Sequence, residues 1–347
     1  MELGSEFDLK LSDLTIKENN LFNYLADYNC IYTDSGRSAL KILTKDLNEV
    51  LLPEFTCESV SDCFNKEKLK FYSVDESCNI DIENLKSNIT DETDCIFIMH
   101  YFGVLQEKDT LEEIKRIADE RNIMLIEDTT HSIFSETSTI GDYMIASIRK
   151  WIPISLGGVI YSKKQLPDIS NIKNSNDNDR LYGMLLKNLF LNDILDCNKL
   201  YRNIFSESEE KFDKKNEIEL MSDLNRFIIS CFDIKELKEK RKQNYQYLLK
   251  ELKKYGIKPV NYVTGEECPF VFPIRIKSRN NFRGYLMDNR IYCAVHWPFD
   301  EFKKECRSIA KYNADTLISI PVDQRYERKD MDYLINVIKS YGGELSF

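Results

Sequence analysis

Asp128 and Lys150 are the two residues whose types and positions carry the most chemistry in this chain. Asp128 ends the apolar run Met124-Leu125-Ile126-Glu127-Asp128, and Lys150 follows in Ser147-Ile148-Arg149-Lys150-Trp151, ahead of Gly157-Gly158. A lysine that attacks a carbonyl to form an imine needs a fixed approach. A pyridine ring that drains electrons from a carbanion needs a carboxylate at its nitrogen to keep it protonated. An aspartate closing an apolar run belongs at the carboxyl end of a parallel strand, where open α/β sheets bind their ligands. The pair points to an enzyme that uses pyridoxal phosphate (PLP).

Such a cofactor also needs a phosphate site, and Thr33-Asp34-Ser35-Gly36-Arg37-Ser38-Ala39-Leu40 offers one where a strand gives way to a helix. The N-terminus of a helix presents unpaired N–H groups and a positive dipole end, and Gly36 lets the backbone approach closely. The bland alternative is a turn and N-cap before a surface helix. The elements that must hold these residues are short apolar runs at Val50–Leu52, Lys70–Val74, Cys95–His100, Asn122–Ile126, Tyr143–Ile148 and Val159–Tyr161, which read as strands. Amphipathic helices lie between them; Leu111, Ile114, Ile117 and Ala118, for example, share one helix face. This alternation predicts an α/β fold with a mostly parallel sheet flanked by helices. Residues 167–219 read as exposed loops around one or two helices. Ile234 to Tyr255 reads as a strong helix stopped by Gly256, and Phe270–Ile276, Ile291–Val295 and a last helix over Asp330–Tyr341 suggest a smaller C-terminal α+β domain. The expected division is 8–233 for the large domain and 234–347 for the small one. Residues 1–7 read as a translated cloning scar and are left out of the fold argument.

With 347 residues, 42% hydrophobic and 31% charged, the chain can bury a large core. A net charge of -10 argues against nucleic acid as a partner, because phosphate-backbone affinity needs clustered Lys and Arg. No apolar stretch is long enough for a membrane span, and the N-terminus lacks a basic stretch followed by an apolar one, so a cytoplasmic protein is expected. The ten cysteines show no CxxC pair and no zinc-ligand spacing, and are expected to be thiols. The three histidines, His100, His131 and His296, are far apart without acidic helpers, so no metal is expected. Neither GxGxxG nor GxxxxGK[ST] occurs to support a plain nucleotide-binding protein.

Several motifs in order resemble the DegT/DnrJ/StrS family of sugar aminotransferases, PLP enzymes of fold-type I. They are Ser35-Gly36-Arg37-Ser38-Ala39-Leu40, Leu52-Pro53-Glu54-Phe55-Thr56, Ile126-Glu127-Asp128-Thr129-Thr130-His131, Gly141-Asp142-Tyr143, and Lys150 with Gly157-Gly158. Val295-His296-Trp297-Pro298 and Ile318-Ser319-Ile320-Pro321 continue the similarity toward the C-terminus. The resemblance implies a seven-stranded-type sheet, a homodimer, and a cofactor that cycles through pyridoxamine phosphate (PMP). It implies transfer of an amino group from an amino acid, glutamate by analogy, onto a nucleotide-linked keto sugar in polysaccharide or glycan biosynthesis.

Carried over residue by residue, the resemblance makes Lys150 the imine-forming amine and proton carrier, and Asp128 the partner of the pyridine nitrogen. His131 matches a position that supports the aspartate or the cofactor's phenolic oxygen; the competing reading is a satisfied core histidine. Gly36, Arg37, Ser38 and Ser147 fall at the phosphate site, although Ser147 as a strand-end hydroxyl bonding its own backbone is the alternative. Arg149 either lends a fixed positive charge or binds a phosphate or carboxylate. His296 belongs near the substrate. Arg325 is a candidate for the amino-donor carboxylate, against an ion pair with Asp323 or Glu327. Two departures stand out. Cys57 occupies the slot of the aromatic residue that covers the cofactor ring, leaving Phe55, Tyr101 or Phe102 as substitutes. The Asn-Tyr-Arg element that caps the phosphate across a subunit interface is unrecognisable, with Leu224-Asn225-Arg226-Phe227 the nearest stretch. These departures keep two other readings open: a PLP enzyme of another reaction type (elimination, decarboxylation or non-sugar transamination), or a noncatalytic protein of the PLP fold.

Overall fold

The computed structural model describes residues 2–135, 139–298 and 308–343; Cys306 lies outside the described residues. The first half alternates strand and helix: α1 (Leu21–Tyr24), β1 (Asn29–Thr33), α2 (Gly36–Thr44), β2 (Glu49–Pro53), α3 (Glu58–Ser61), β3 (Leu69–Tyr72), α4 (Ile82–Asn88), β4 (Thr93–Met99), α5 (Lys108–Arg121), β5 (Met124–Asp128), β6 (Tyr143–Ser147) and β7 (Gly158–Ser162). Helices α6 (Asp179–Leu191), α7 (Asn198–Lys214), α8 (Asp223–Ser230) and α9 (Ile234–Leu252) follow. The chain continues with β8 (Phe272–Arg275), α10 (Arg279–Asp288), α11 (Ser308–Thr316), β9 (Leu317–Ile320) and α12 (Arg328–Lys339). Seven strands form one sheet in the order β1-β7-β6-β5-β4-β2-β3. The pairs β2–β3, β2–β4 and β4–β5 are parallel and β1–β7 is antiparallel, so the expected α/β architecture holds.

Local sequence explains these elements. Every residue of β2 is buried, as are Cys95 to Met99 of β4, the pattern of parallel strands covered on both faces. Leu111, Ile114, Ile117 and Ala118 form the buried face of α5, which stops at Asn122 in the left-handed conformation. The Ser35 hydroxyl caps α2 by accepting the Ser38 N–H at 3.0 Å. Gly256, at φ +78°, ends the short 3-10 extension of α9. The nine described cysteines form no disulfide. Among the described residues no helix is long and apolar enough to cross a membrane.

The chain divides into two compact units. The first comprises Glu6–Lys45 and Ile145–Glu236; the second comprises Glu2–Ser5, Asp46–Met144 and the described residues of Leu237–Phe347. In the first unit β1 and β7 pair antiparallel, with Thr33 opposite Gly158. A Cβ at Gly158 would stand 2.4 Å from the carbonyl carbon and oxygen of Ser35 and 2.7 Å from the Gly36 nitrogen. Only backbone could yield, and that backbone begins α2. Gly158→Ala is therefore expected to destabilise the protein by about 1–3 kcal/mol. An unchanged urea midpoint would contradict this close approach.

In the second unit β8 and β9 pair antiparallel over Phe272↔Ile320 to Arg275↔Leu317. Around them packs a core that includes Leu248, Leu252, Ile274, Phe282, Ile291, Leu334 and Ile338. Two expectations are corrected here. The run Ile291–Val295 forms no strand: Ile291 makes a single bridge to Leu3, and Ala294 one to Ser319. Its apolar character serves burial rather than a ladder. Residues 2–7 take part in the fold, since Leu3 is 1% exposed within this core and exchanges backbone bonds with Arg290 and Tyr292. Excluding them removed a core side chain.

Candidate functional site

The residues singled out by sequence fall into two constellations, one in each unit. In the first unit β1 leads through Asp34 and Ser35 into α2. The buried Asp34 carboxylate pairs with Lys215 at 2.6 Å and accepts the Ser35 hydroxyl at 3.0 Å, which fixes the approach to the helix. Ser35 and Ser38 hydroxyls lie 3.2 Å apart, and the position a Gly36 Cβ would take is 3.5 Å from the Ser147 Cβ. A helix N-terminus ringed by three serines suits a dianionic phosphate.

Ser147 ends β6, and the chain then makes a 3-10 turn over Ile148–Lys150. Gly157 pins this turn by accepting the N–H groups of Ile148 at 2.9 Å and Arg149 at 3.4 Å. Trp151, completely buried, anchors its far side. Lys150 is half-buried on a turn whose shape is set by backbone bonds.

The neighbouring arginines are already engaged. Arg149 grips Glu209 of α7 through two bonds of 2.9 Å, and Arg180 adds a third to the same carboxylate at 2.8 Å. Arg37 donates to the Phe212 carbonyl at 2.6 Å, and the guanidiniums of Arg37 and Arg149 lie 4.0 and 4.4 Å from the centre of the Phe212 ring. Glu209, Phe212 and Arg180 were missed by sequence reasoning. Their one signal is the i, i+3 spacing of Glu209 and Phe212, which puts both on one helix face. Burial alone would raise the Glu209 carboxyl, but the hydrogen bonds and charge of Arg149, with the charges of Arg180 and Arg37, hold it down at about 2. A carboxyl depressed in the folded state stabilises the fold above its ordinary pKa of 4.5 and loses that contribution as pH falls toward about 2. Glu209→Gln is expected to flatten the stability profile in that acid window. An acid limb of unaltered slope would contradict the assignment.

Asn225, the nearest match to a phosphate-capping asparagine, is buried and turned inward. Its amide accepts the Ser155 N–H at 3.1 Å and donates to the hydroxyls of Ser155 and Ser222 at 2.9 and 3.0 Å. It serves α8 and the loop before β7.

In the second unit Asp128 closes β5 with its carboxylate buried and accepts the Thr130 N–H at 2.8 Å. Its neighbour Glu127, on the opposite face of the strand, accepts the N–H groups of Ile140 and Gly141 and meets His100 Nε2 at 2.9 Å. The Gln106 N–H donates to His100 Nδ1 at 3.1 Å, so the neutral ring carries its proton on Nε2 and donates it to Glu127. His100 thus braces the strand end that carries Asp128.

His131 sits in a stack of rings. Phe270 lies 4.3 Å away at 16°, Trp297 5.6 Å away at 14° and Phe102 5.8 Å away at 24°, while the Phe102 N–H points at His131 Nδ1 at 3.4 Å. Arg241, buried in α9, donates to the Phe270 carbonyl at 2.8 Å and so holds one wall of the stack. His296 meets the Ser319 hydroxyl at 2.8 Å through Nδ1. Phe55 and Tyr101 stack 5.7 Å apart, and the Tyr101 hydroxyl donates to the Phe55 carbonyl at 2.6 Å. Both rings belong to this buried cluster. Cys57 precedes α3, with its sulfur 3.1 Å from the Ser59 hydroxyl. Arg325 is paired side-on with Asp323 at 2.8 and 3.0 Å and donates to the Ser5 carbonyl at 3.0 Å. Its fork grips a carboxylate of its own chain.

Among the described residues no group of three or more His, Cys, Asp or Glu side chains is arranged to hold a metal ion. The two constellations instead offer a serine-lined helix N-terminus with Lys150 on the turn that follows Ser147, and a buried carboxylate at a strand end with a stacked imidazole three residues on. Both fit the parts of a phosphorylated pyridine cofactor.

Known proteins point the same way. The chain is 22% identical over 283 residues to dTDP-3-amino-3,6-dideoxy-alpha-D-galactopyranose transaminase of Aneurinibacillus thermoaerophilus, covering 76% of this chain and 70% of that protein. It is 25% identical over 305 residues to UDP-4-amino-4,6-dideoxy-N-acetyl-beta-L-altrosamine transaminase of Campylobacter jejuni, covering 79% and 73%. Its fold is similar to that of NtdA from Bacillus subtilis with bound cofactor PMP, at a TM-score of 0.64 and 15% identity over 96% of this chain and 78% of that one. Residues 15–148, which contain the cradle at Gly36 and the strand end at Asp128, match the model of the DegT/DnrJ/EryC1/StrS aminotransferase family.

Proposed function

We propose that the protein is a PLP-dependent aminotransferase that moves an amino group from an amino acid, glutamate by analogy, onto a nucleotide-linked keto sugar in polysaccharide or glycan biosynthesis. The observation that carries this reading is the Lys150 turn, pinned to Gly157 in the same unit as the serine-lined N-terminus of α2. The sugar substrate is supported by the two relatives, whose names specify dTDP- and UDP-linked amino sugars.

When bound, PLP supplies an electron sink for negative charge on the carbon next to the transferred nitrogen. The protein's own groups do the rest. Ser35, Ser38 and Ser147 with the α2 N-terminus bind phosphate. Lys150 would hold the cofactor through its Nζ and would move a proton at the reacting carbon, a role that requires the amine to be neutral for part of the cycle. Asp128 keeps a proton on the ring nitrogen. His131, its plane fixed by Phe270 and Trp297, supports Asp128 or the cofactor's phenolic oxygen. Family resemblance also leads us to propose a homodimer, and sedimentation as a monomer at working concentration would contradict that part.

The deciding experiment incubates the protein with PLP, glutamate and a panel of dTDP- and UDP-linked keto sugars. Release of 2-oxoglutarate together with an amino sugar is the expected result. If no amino donor yields its keto acid with any sugar of the panel, the proposal fails.

A further inference from the structure

Arg37, Arg149 and Arg180 reach one place from three elements: the first turn of α2, the turn after β6, and the first turn of α6. One carboxylate fills that place. Glu209 receives two bonds of 2.9 Å from Arg149 and one of 2.8 Å from Arg180, while Phe212, one turn further along α7, faces the guanidiniums of Arg37 and Arg149. The arginine side chains are only 10–20% exposed, whereas that of Glu209 is 42% exposed. The cations are fixed parts of the body and the anion is the part nearest water. Planar guanidinium forks match phosphate oxygens as well as they match a carboxylate. Arg37 follows Gly36 and Arg149 lies two residues after Ser147, so the array borders the helix N-terminus.

We propose that Arg37, Arg149 and Arg180 form a binding site for a phosphate group of a ligand, and that Glu209 on α7 occupies it as a tethered stand-in that is exchanged for the phosphate. A phosphate brings more negative charge and more acceptor oxygens than the carboxylate it displaces, and Glu209 returns to water that it already half contacts. Asp213, 3.5 Å from Arg37, and Glu6, paired with Arg180, remain to balance the cations. The phosphate comes from the cofactor or from a nucleoside diphosphate; the second source rests on the aminotransferase reading, the exchange itself does not.

Calorimetric titration of the full-length protein with inorganic phosphate, PLP and dTDP, in the wild type, Glu209→Gln and Glu6→Gln, tests this. Removing the stand-in is expected to tighten inorganic phosphate and at least one of the other two by roughly tenfold or more. Glu6→Gln, which removes the same charge from Arg180 alone and leaves Glu209 in the Arg149 and Arg180 bonds, is expected to change them by less than about threefold. Tightening of PLP identifies the cofactor as the source and tightening of dTDP the nucleotide. Unchanged or weaker binding in Glu209→Gln overturns the proposal, and so does equal tightening in Glu6→Gln, which would mark a general charge effect. Should Glu209→Gln fail to fold, hydrogen exchange in the wild type decides. Amides of residues 207–214 are expected to exchange roughly threefold faster when phosphate is saturating, and unchanged or slower exchange overturns the exchange model. No turnover enters these readouts, so a failure of the aminotransferase reading would leave them intact.

Discussion

Lys150→Ala is expected to lower kcat by at least about 10⁴-fold, because one substitution removes both the amine that attaches the cofactor and the group that moves the proton. The fold should survive it. The turn is held by the N–H groups of Ile148 and Arg149 on the Gly157 carbonyl and by the buried Trp151, none of which depends on the lysine side chain. Thermal melting within a few degrees of wild type, together with collapsed turnover, is therefore the expected combination. Turnover at the wild-type rate would remove Lys150 from the chemistry, and the aminotransferase reading with it.

Asp128→Asn is the second large effect. The asparagine oxygen can still accept the Thr130 N–H that Asp128 accepts at 2.8 Å, so the strand end keeps its geometry. What is lost is the negative charge that holds a proton on a ring nitrogen. Losing one member of a buried charge pair costs about 3–4 kcal/mol, which corresponds to a drop in kcat of about 10²- to 10³-fold. Steady-state kinetics should show that drop without a matching loss of stability. A variant with wild-type kcat would show that Asp128 serves only its turn.

Much of this architecture was legible because its signals are local. The helix face of Leu111, Ile114, Ile117 and Ala118 and the Gly256 stop each lie within a few residues, and both appear in the structure. The strand ends carrying Asp128 and Ser147 were equally readable, since an apolar run closed by polar residues marks both. The arginines were not. Arg149 and Glu209 are 60 residues apart, and no periodicity within either segment joins them. For Arg325 the sequence left two readings open, a donor carboxylate or an ion pair with Asp323 or Glu327, and the structure pairs it with Asp323. At Ile291–Val295 hydrophobicity was mistaken for a strand, because burial against Leu3 and a ladder leave the same trace in sequence. The ring sandwich around His131 drew Phe270 from a distant segment, so only the fold could disclose that this histidine is oriented by stacking.

The most direct test of the account treats wild-type protein with PLP, reduces it with borohydride, digests it and maps the labelled peptide by mass spectrometry. The account predicts a single pyridoxyl adduct on the peptide that contains Lys150, and its disappearance in Lys150→Ala. A protein that takes no label, or carries it on another lysine, would contradict the claim.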